Sequence, residues 1–426
     1  MSIKLRLIVM NFLQYAIWGS YLTSMGSYLV SVDLASQIGL FYAMQGIVSL
    51  FMPAIIGIIA DRWVPAQRLL GVCHVLAALF MAAAGWYAMT AGSAVSFGTL
   101  FPLYALSVAF YMPTIALSNS VAYSVLENSG YDTVKAFPPI RVWGTVGFIC
   151  AMLLCDGAGF QTTYMQFAQC ALLGLILGAY AFTLPACPVS TSTTKKTLVE
   201  ALGLKAFALF KQKKMAIFFI FSMLLGVSLQ ITNGFANPFI TSFKGIPEFA
   251  STFGANHANA LISLSQVSET LCILLIPFFL RRFGIKRVML MAMVAWVLRF
   301  GLFGLGNPGG GVWMFVLSMI VYGVAFDFFN ISGSLFVNKE TDISIRSSAQ
   351  GLFMIMTNGI GATIGTLGAQ AVVNHFVYTQ TDPTAQVAGW AHSWLLFAAY
   401  ALVVTVVFAI VFKYKHDPKE MLNVKH

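Results

Sequence analysis

The feature that most constrains this chain is a repeated one. Twelve apolar runs follow one another along the 426 residues, each about as long as the roughly 20 residues an α-helix needs to cross a bilayer core. They lie at 7–30, 38–60, 69–90, 95–126, 140–160 and 164–184, then at 215–242, 258–280, 285–305, 312–337, 347–373 and 391–412. No large soluble domain fits in what is left. Composition excludes water as the main solvent: 59% of the residues are apolar and 9% charged, against about 45–50% and about 25% in soluble chains. In lipid every backbone polar group must be paired internally, so the runs are predicted to be helices. The expected fold class is an all-α integral membrane protein with twelve transmembrane helices in two six-helix halves.

The formal charge of +10 would suit a nucleic-acid surface if it were clustered, but it is spread along the chain. All of the 24 Lys and Arg except Lys244, Arg141 and Arg299 fall in the terminal segments or behind even-numbered runs. Basic connections stay on the cytoplasmic side, so both termini are expected there, and no nucleic-acid partner is expected. The first run follows Lys4 and Arg6 and continues without a small-residue cleavage site, so it is predicted as a span rather than a removed leader. Between runs six and seven, a Ser/Thr run at 190–194 and six Lys mark a polar connection. The predicted organisation is a six-helix bundle at 1–184, a cytoplasmic loop at 185–214, and a second six-helix bundle with a short tail at 215–426. Ala60-Asp61-Arg62-Trp63 behind run two has a weak echo in Leu280-Arg281-Arg282-Phe283 behind run eight, as parallel repeats would give. Charges behind any even-numbered run would look similar. Six isolated Cys have no metal-ligand spacing, so neither metal nor cofactor is expected.

Polar groups inside the runs carry the functional argument. Glu269 and Asp327 sit near the middle of runs eight and ten. An ionised carboxylate at that depth is costly, and such residues often mark substrate or proton pathways, although a structural pair between helices is the alternative. Gln266 precedes Glu269 by three residues, and Gln230 precedes Asn233 by three, so each pair shares one helix face. Their amides suit hydroxyls and heterocycle edges, or equally interhelical hydrogen bonds. Tyr322 and Phe326, four apart beside Asp327, would form an aromatic wall or simply core packing. Arg141 is predicted to open run five after Phe137-Pro138-Pro139, with Thr145 and Phe148 on its face; a headgroup contact is the alternative role. Arg299, deeper in run nine, calls for a carboxylate or a polar crevice. His74 is read as a hydrogen-bonded packing residue, and Asp61, Arg62 and Arg68 as a loop latch for one conformation. Pro53, Pro113, Pro238 and Pro277 are candidate bends.

The stretches FLQYAIWGSYL, GIIADRW, FPPIRVWGTVGF, MAIFFIFSMLLG with LQITN, SLSQVSETL and SMIVYGVAFDFFNISGS resemble the nucleoside:proton symporter family of the major facilitator superfamily, over nearly the whole chain. The resemblance implies a bacterial inner-membrane permease that imports purine and pyrimidine nucleosides, xanthosine included, with protons by alternating access. It implies a central site between the halves at Arg141, Thr145, Phe148, Gln230, Asn233, Gln266, Glu269, Tyr322, Phe326 and Asp327. Phe148 and Phe326 would flank the base, and Asp327 or Glu269 would take the proton. Partners would be nucleoside, protons and lipid, with the chain acting as a monomer. Gln45 departs from the family pattern.

Other readings stay open at this point. The same scaffold could carry a sugar or export a drug, since fold does not fix substrate. A channel would be expected to show rings of carboxylates or carbonyls instead of paired amides. For an enzyme the chain lacks HExxH, GxSxG and a phosphate loop.

Overall fold

The computed structural model of the protein describes residues 2–187, 204–342 and 345–415. The described residues contain helices and no strand, and the chain divides into two compact units, Met1–Leu202 and Gly203–His426. Of the predicted 185–214 connection, residues 188–203 lie outside the described ones, and Leu204–Lys211 form a 3-10 helix.

The first unit holds α1 (Ile3–Gly19), α2 (Met25–Ser31), α3 (Ile38–Ser49), α4 (Met52–Arg62), α5 (Ala66–Ala91), α6 (Phe97–Asn128), α7 (Thr133–Gly157) and α8 (Met165–Ala181). Ser2 caps α1 by accepting from the Leu5 N–H. Run one is interrupted between α1 and α2, and run two bends by 41° between α3 and α4. Pro53 sits in the first turn of α4, where its missing N–H has no intrahelical partner to lose. Pro113, Pro238 and Pro277 lie inside continuous helices.

α1 packs on α7 and α8, and α5 on α6 and α8. The α1/α7 crossing is set by glycine: a Cβ at Gly147 would lie 2.1 Å from the Phe12 carbonyl oxygen, and one at Gly19 would lie 2.4 Å from that of Phe148. Lipid supplies no hydrophobic drive between helices, so close backbone approach of this kind holds such bundles together.

The second unit holds α9 (Lys213–Leu229), α10 (Ile231–Ser242), α11 (Ala258–Phe283), α12 (Ile285–Leu305), α13 (Val312–Glu340), α14 (Arg346–Met354), α15 (Ala362–Val373) and α16 (Pro383–Val411). α12 packs on α13 and α16, and α11 on α13. Gly284 alone separates α11 from α12; its φ of 78° reverses the chain where a side chain would be strained. Run eleven contains a π-helical stretch, Ile355–Gly361, and a second one, Asn374–Tyr378, carries the helix past the predicted end at residue 373.

Each of the twelve runs coincides with one helix or one interrupted set. Among the described residues, seven helices are singly long and apolar enough to span, Lys213–Gly245 and Ser348–Tyr378 qualify as sets of successive helices, the bent α3/α4 pair makes a tenth, and α8 is shorter. Two edges need correction. α7 begins at Thr133 rather than near residue 140, so Arg141 stands in its third turn instead of opening the span. Pro138 and Pro139 deprive only carbonyls at the start of α7 of their helical partners, and the helix runs through them. α16 starts at Pro383, capped by the Asp382 side chain, two turns before the apolar run begins.

Candidate functional site

In the first unit, Arg141, Thr145 and Phe148 follow one another along α7, as their spacing predicts. Phe148 is buried and the other two are half-buried. The Arg141 guanidinium carbon lies 3.8 Å from the centre of the Tyr15 ring on α1. Phe148 meets Trp18, also on α1, edge-on with centroids 6.3 Å apart. The helix that supplies Tyr15 and Trp18 is pinned by a buried polar chain. His74 Nε2 lies 2.7 Å from Gln14 Oε1, Gln14 Nε2 donates to Thr114 Oγ1 at 2.8 Å, and the Tyr111 hydroxyl donates to the Gln14 carbonyl at 2.7 Å. Since the Gln14 amide nitrogen is donating to Thr114, its oxygen accepts from His74, which fixes Nε2 as the protonated ring nitrogen.

In the second unit, Gln230 is the non-helical step between α9 and α10, and Asn233 Nδ2 donates to Gln230 Oε1 at 2.8 Å. This contact uses one donor and one acceptor of the pair and leaves the Nε2 of Gln230 and the Oδ1 of Asn233 for other partners. Gln266 and Glu269 are half-buried on α11, whereas Asp327 on α13 is 6% exposed. A Cβ at Gly323 would lie 2.5 Å from the Ser268 carbonyl oxygen, so α11 and α13 touch nearly backbone to backbone one residue from Glu269 and one turn from Asp327. The two carboxylates are close enough to interact electrostatically, and Tyr322 is within such range of both and of Arg299. Asp327 Oδ2 is buried and has no hydrogen-bond partner among the described residues.

Tyr322 and Phe326 stack at 5.7 Å with 16° between their planes. Arg299 lies over the Tyr322 ring at 4.5 Å. Arg299 Nη1 also donates to the Ser318 carbonyl at 2.8 Å and reaches Ser265 Oγ at 3.4 Å. Among the described residues its neighbours are thus a carbonyl, a hydroxyl, the Met319 thioether and aromatic faces. The polar crevice, one of the two settings expected for it, is what the fold supplies.

Each unit therefore gathers its own share of the ten candidates: Arg141, Thr145 and Phe148 in one, and Gln230, Asn233, Gln266, Glu269, Tyr322, Phe326 and Asp327 in the other. For the expected latch, the side chains of Asp61 and Arg62 lie outside the described residues, and Arg68 is exposed. Sequence reasoning missed Tyr15 and Trp18, since two aromatics in an apolar run look like any others. It also passed over Gln14, whose amide at membrane depth was a usable sign. Among the described residues, no group of three His, Cys, Asp or Glu could hold a metal ion.

Comparison with known proteins bears on what these groups do. The family model described as "Nucleoside H+ symporter" matches residues 1–417. The chain is 48% identical to xanthosine permease of Escherichia coli (strain K12), covering 100% of this chain and 99% of that one. It is 49% identical to nucleoside permease NupG of the same organism, covering 98% and 97%. The crystal structure of nucleoside transporter NupG superposes with a TM-score of 0.88 at 46% identity, covering 97% of this chain and 100% of that one.

Proposed function

The chain belongs to the nucleoside H+ symporter family, and from that premise we propose that it imports nucleosides together with protons by alternating access. Its fold is the all-α membrane fold of major facilitator type. It is a multi-pass protein of the bacterial inner membrane with both termini cytoplasmic, and it works as a monomer. Purine and pyrimidine nucleosides, xanthosine among them, are its substrates.

One observation supports the proton role above the others: a buried carboxylate oxygen of Asp327 without a donor among the described residues, beside a second carboxylate, Glu269. A buried charge without compensation is costly, and taking up a proton removes it. Asp327 is the proton acceptor in this reading, and Glu269 adjusts how readily it accepts. Gln230, Asn233 and Gln266 read ribose hydroxyls and base edges through amides that can both donate and accept. Tyr322 and Phe326 give an apolar plane against which a planar base can lie. The first unit contributes Arg141, Thr145 and Phe148. Protonation changes charge and hydrogen bonding at the carboxylates, so empty and loaded carriers favour different openings through differential binding.

The test uses purified protein in lipid vesicles, following labelled uridine and xanthosine with and without an inward proton gradient. Accumulation above the external concentration only when the gradient is imposed supports symport, and the preferred nucleoside fixes the selectivity. Equilibration without accumulation would leave a facilitator, and no uptake of either nucleoside would end the substrate reading.

A further inference from the structure

We propose that Tyr15 is a positioning residue for Arg141: its ring holds the guanidinium in the orientation in which its N–H edge meets the transported solute. The inference rests on the reading of Arg141 as a substrate contact, and adds to it a residue outside the ten candidate positions.

The geometry begins with the 3.8 Å separation between the guanidinium carbon of Arg141 and the centre of the Tyr15 ring. Tyr15 is 7% exposed, whereas Arg141 is half-buried. No carboxylate pairs with Arg141 among the described residues. An arginine without an ion-pair partner keeps its five in-plane donors for a ligand, yet its long side chain has many rotamers to lose when it binds. An aromatic face restrains the guanidinium through its π-surface and consumes none of those donors.

Gly144 is built into the same contact. It lies one turn beyond Arg141 on α7, and a Cβ there would stand 2.6 Å from Tyr15 Cδ2 and 2.8 Å from Arg141 Nη1. Ring and guanidinium together fill the space that glycine leaves. The ring is also kept from turning away, because Gln14, its neighbour in sequence, is tied to Thr114, Tyr111 and His74, and Gly147 seats α7 directly on the Phe12 backbone. Hydrogen bonds and a backbone contact thus converge on one turn of α1, and that turn carries the ring that meets Arg141.

A preorganised guanidinium improves binding by lowering the ordering cost. Tyr15 therefore acts on affinity and leaves proton coupling alone. The experiment measures KM and maximal rate for labelled uridine in vesicles at equal amounts of folded protein, for Tyr15→Phe, Tyr15→Leu, Gly144→Ala, Arg141→Ala and the Tyr15→Leu/Arg141→Ala double variant. Tyr15→Leu is expected to raise KM by about tenfold, the size of a partly desolvated cation–π contact, with the maximal rate and the gradient dependence little changed. Tyr15→Phe keeps the ring and should keep KM. Gly144→Ala, which leaves Tyr15 in place and crowds the stack, should raise KM as well, and it serves in place of Tyr15→Leu if that variant fails to fold. The double variant should be no worse than Arg141→Ala alone, because one contact cannot be lost twice.

A normal KM in Tyr15→Leu or in Gly144→Ala, while Arg141→Ala is impaired, overturns the positioning role and leaves Arg141 as a substrate contact. So does a double variant in which the two effects multiply, or a Tyr15→Phe protein as impaired as Tyr15→Leu. Normal uptake by Arg141→Ala would instead remove the substrate reading of Arg141, and this proposal with it.

Discussion

Arg299 holds its guanidinium 4.5 Å from the centre of the Tyr322 ring, and Tyr322 in turn stacks on Phe326. A column of one cation and two aromatics thereby ends one residue from Asp327. The cation is 2% exposed, and its Nη1 reaches the Ser318 carbonyl at 2.8 Å. Arginine suits this setting because its planar, weakly hydrated charge stacks while its edge donates, which a lysine ammonium cannot do.

Arg299→Lys is accordingly expected to destabilise the protein more than Arg299→Met. Lysine keeps a charge away from water without the stack, at a cost of about 2 kcal/mol or more, whereas methionine removes the charge and retains most of the packing. Thermal unfolding in detergent gives the order, and a more stable Lys variant would contradict the stacking account.

Asp327→Asn should abolish the effect of an inward proton gradient on uridine accumulation while exchange of labelled for unlabelled uridine across the vesicle membrane continues. The amide preserves shape but binds no transported proton. Wild-type protein should lose uptake as external pH is raised toward the internal value, and the variant should not respond. Gradient-driven accumulation by Asp327→Asn, with Glu269→Gln uncoupled, would move the proton to Glu269.

Removal of one reading amide should weaken binding more than it slows turnover. Gln266→Ala is expected to raise KM by about five- to thirtyfold, the equivalent of about 1–2 kcal/mol for one hydrogen bond to the solute. Asn233→Ala should cost at least as much, since it also strips Gln230 of the donor 2.8 Å away. Unchanged KM values would reassign these amides to helix packing.

Two glycines three residues apart on α15 test the packing argument. A Cβ at Gly365 would lie 2.0 Å from the Val227 carbonyl oxygen, while one at Gly368 would meet no atom of the described residues within 4 Å. Gly365→Ala should lower stability by about 1–3 kcal/mol through overpacking. Gly368→Ala should leave it unchanged or slightly raised. The pair is compared by melting temperature and by yield of monodisperse protein.

Much of the architecture was legible because it depends on quantities that are summed along the chain. Run length and apolar content mark a span, and neither needs knowledge of a distant neighbour. Glu269, Asp327 and the amide pairs stood out for the same reason, since a polar group in an apolar run is costly wherever the helix goes. The edges were less legible: α7 reaches back through Pro138 and Pro139 to Thr133, because prolines this near a helix start forfeit only the first few hydrogen bonds.

What the sequence by itself determined is therefore the class of fold, the number of apolar runs and the set of polar groups that lipid would not accept. Only the tertiary structure decided which of them meet. Gln14 finds Thr114 across 100 residues of chain, Tyr15 finds Arg141, and Arg299 finds a carbonyl and an aromatic face. Those pairings depend on how each helix is rotated about its axis, and the rotation is set by glycines that admit a neighbouring backbone and by hydrogen bonds between distant spans.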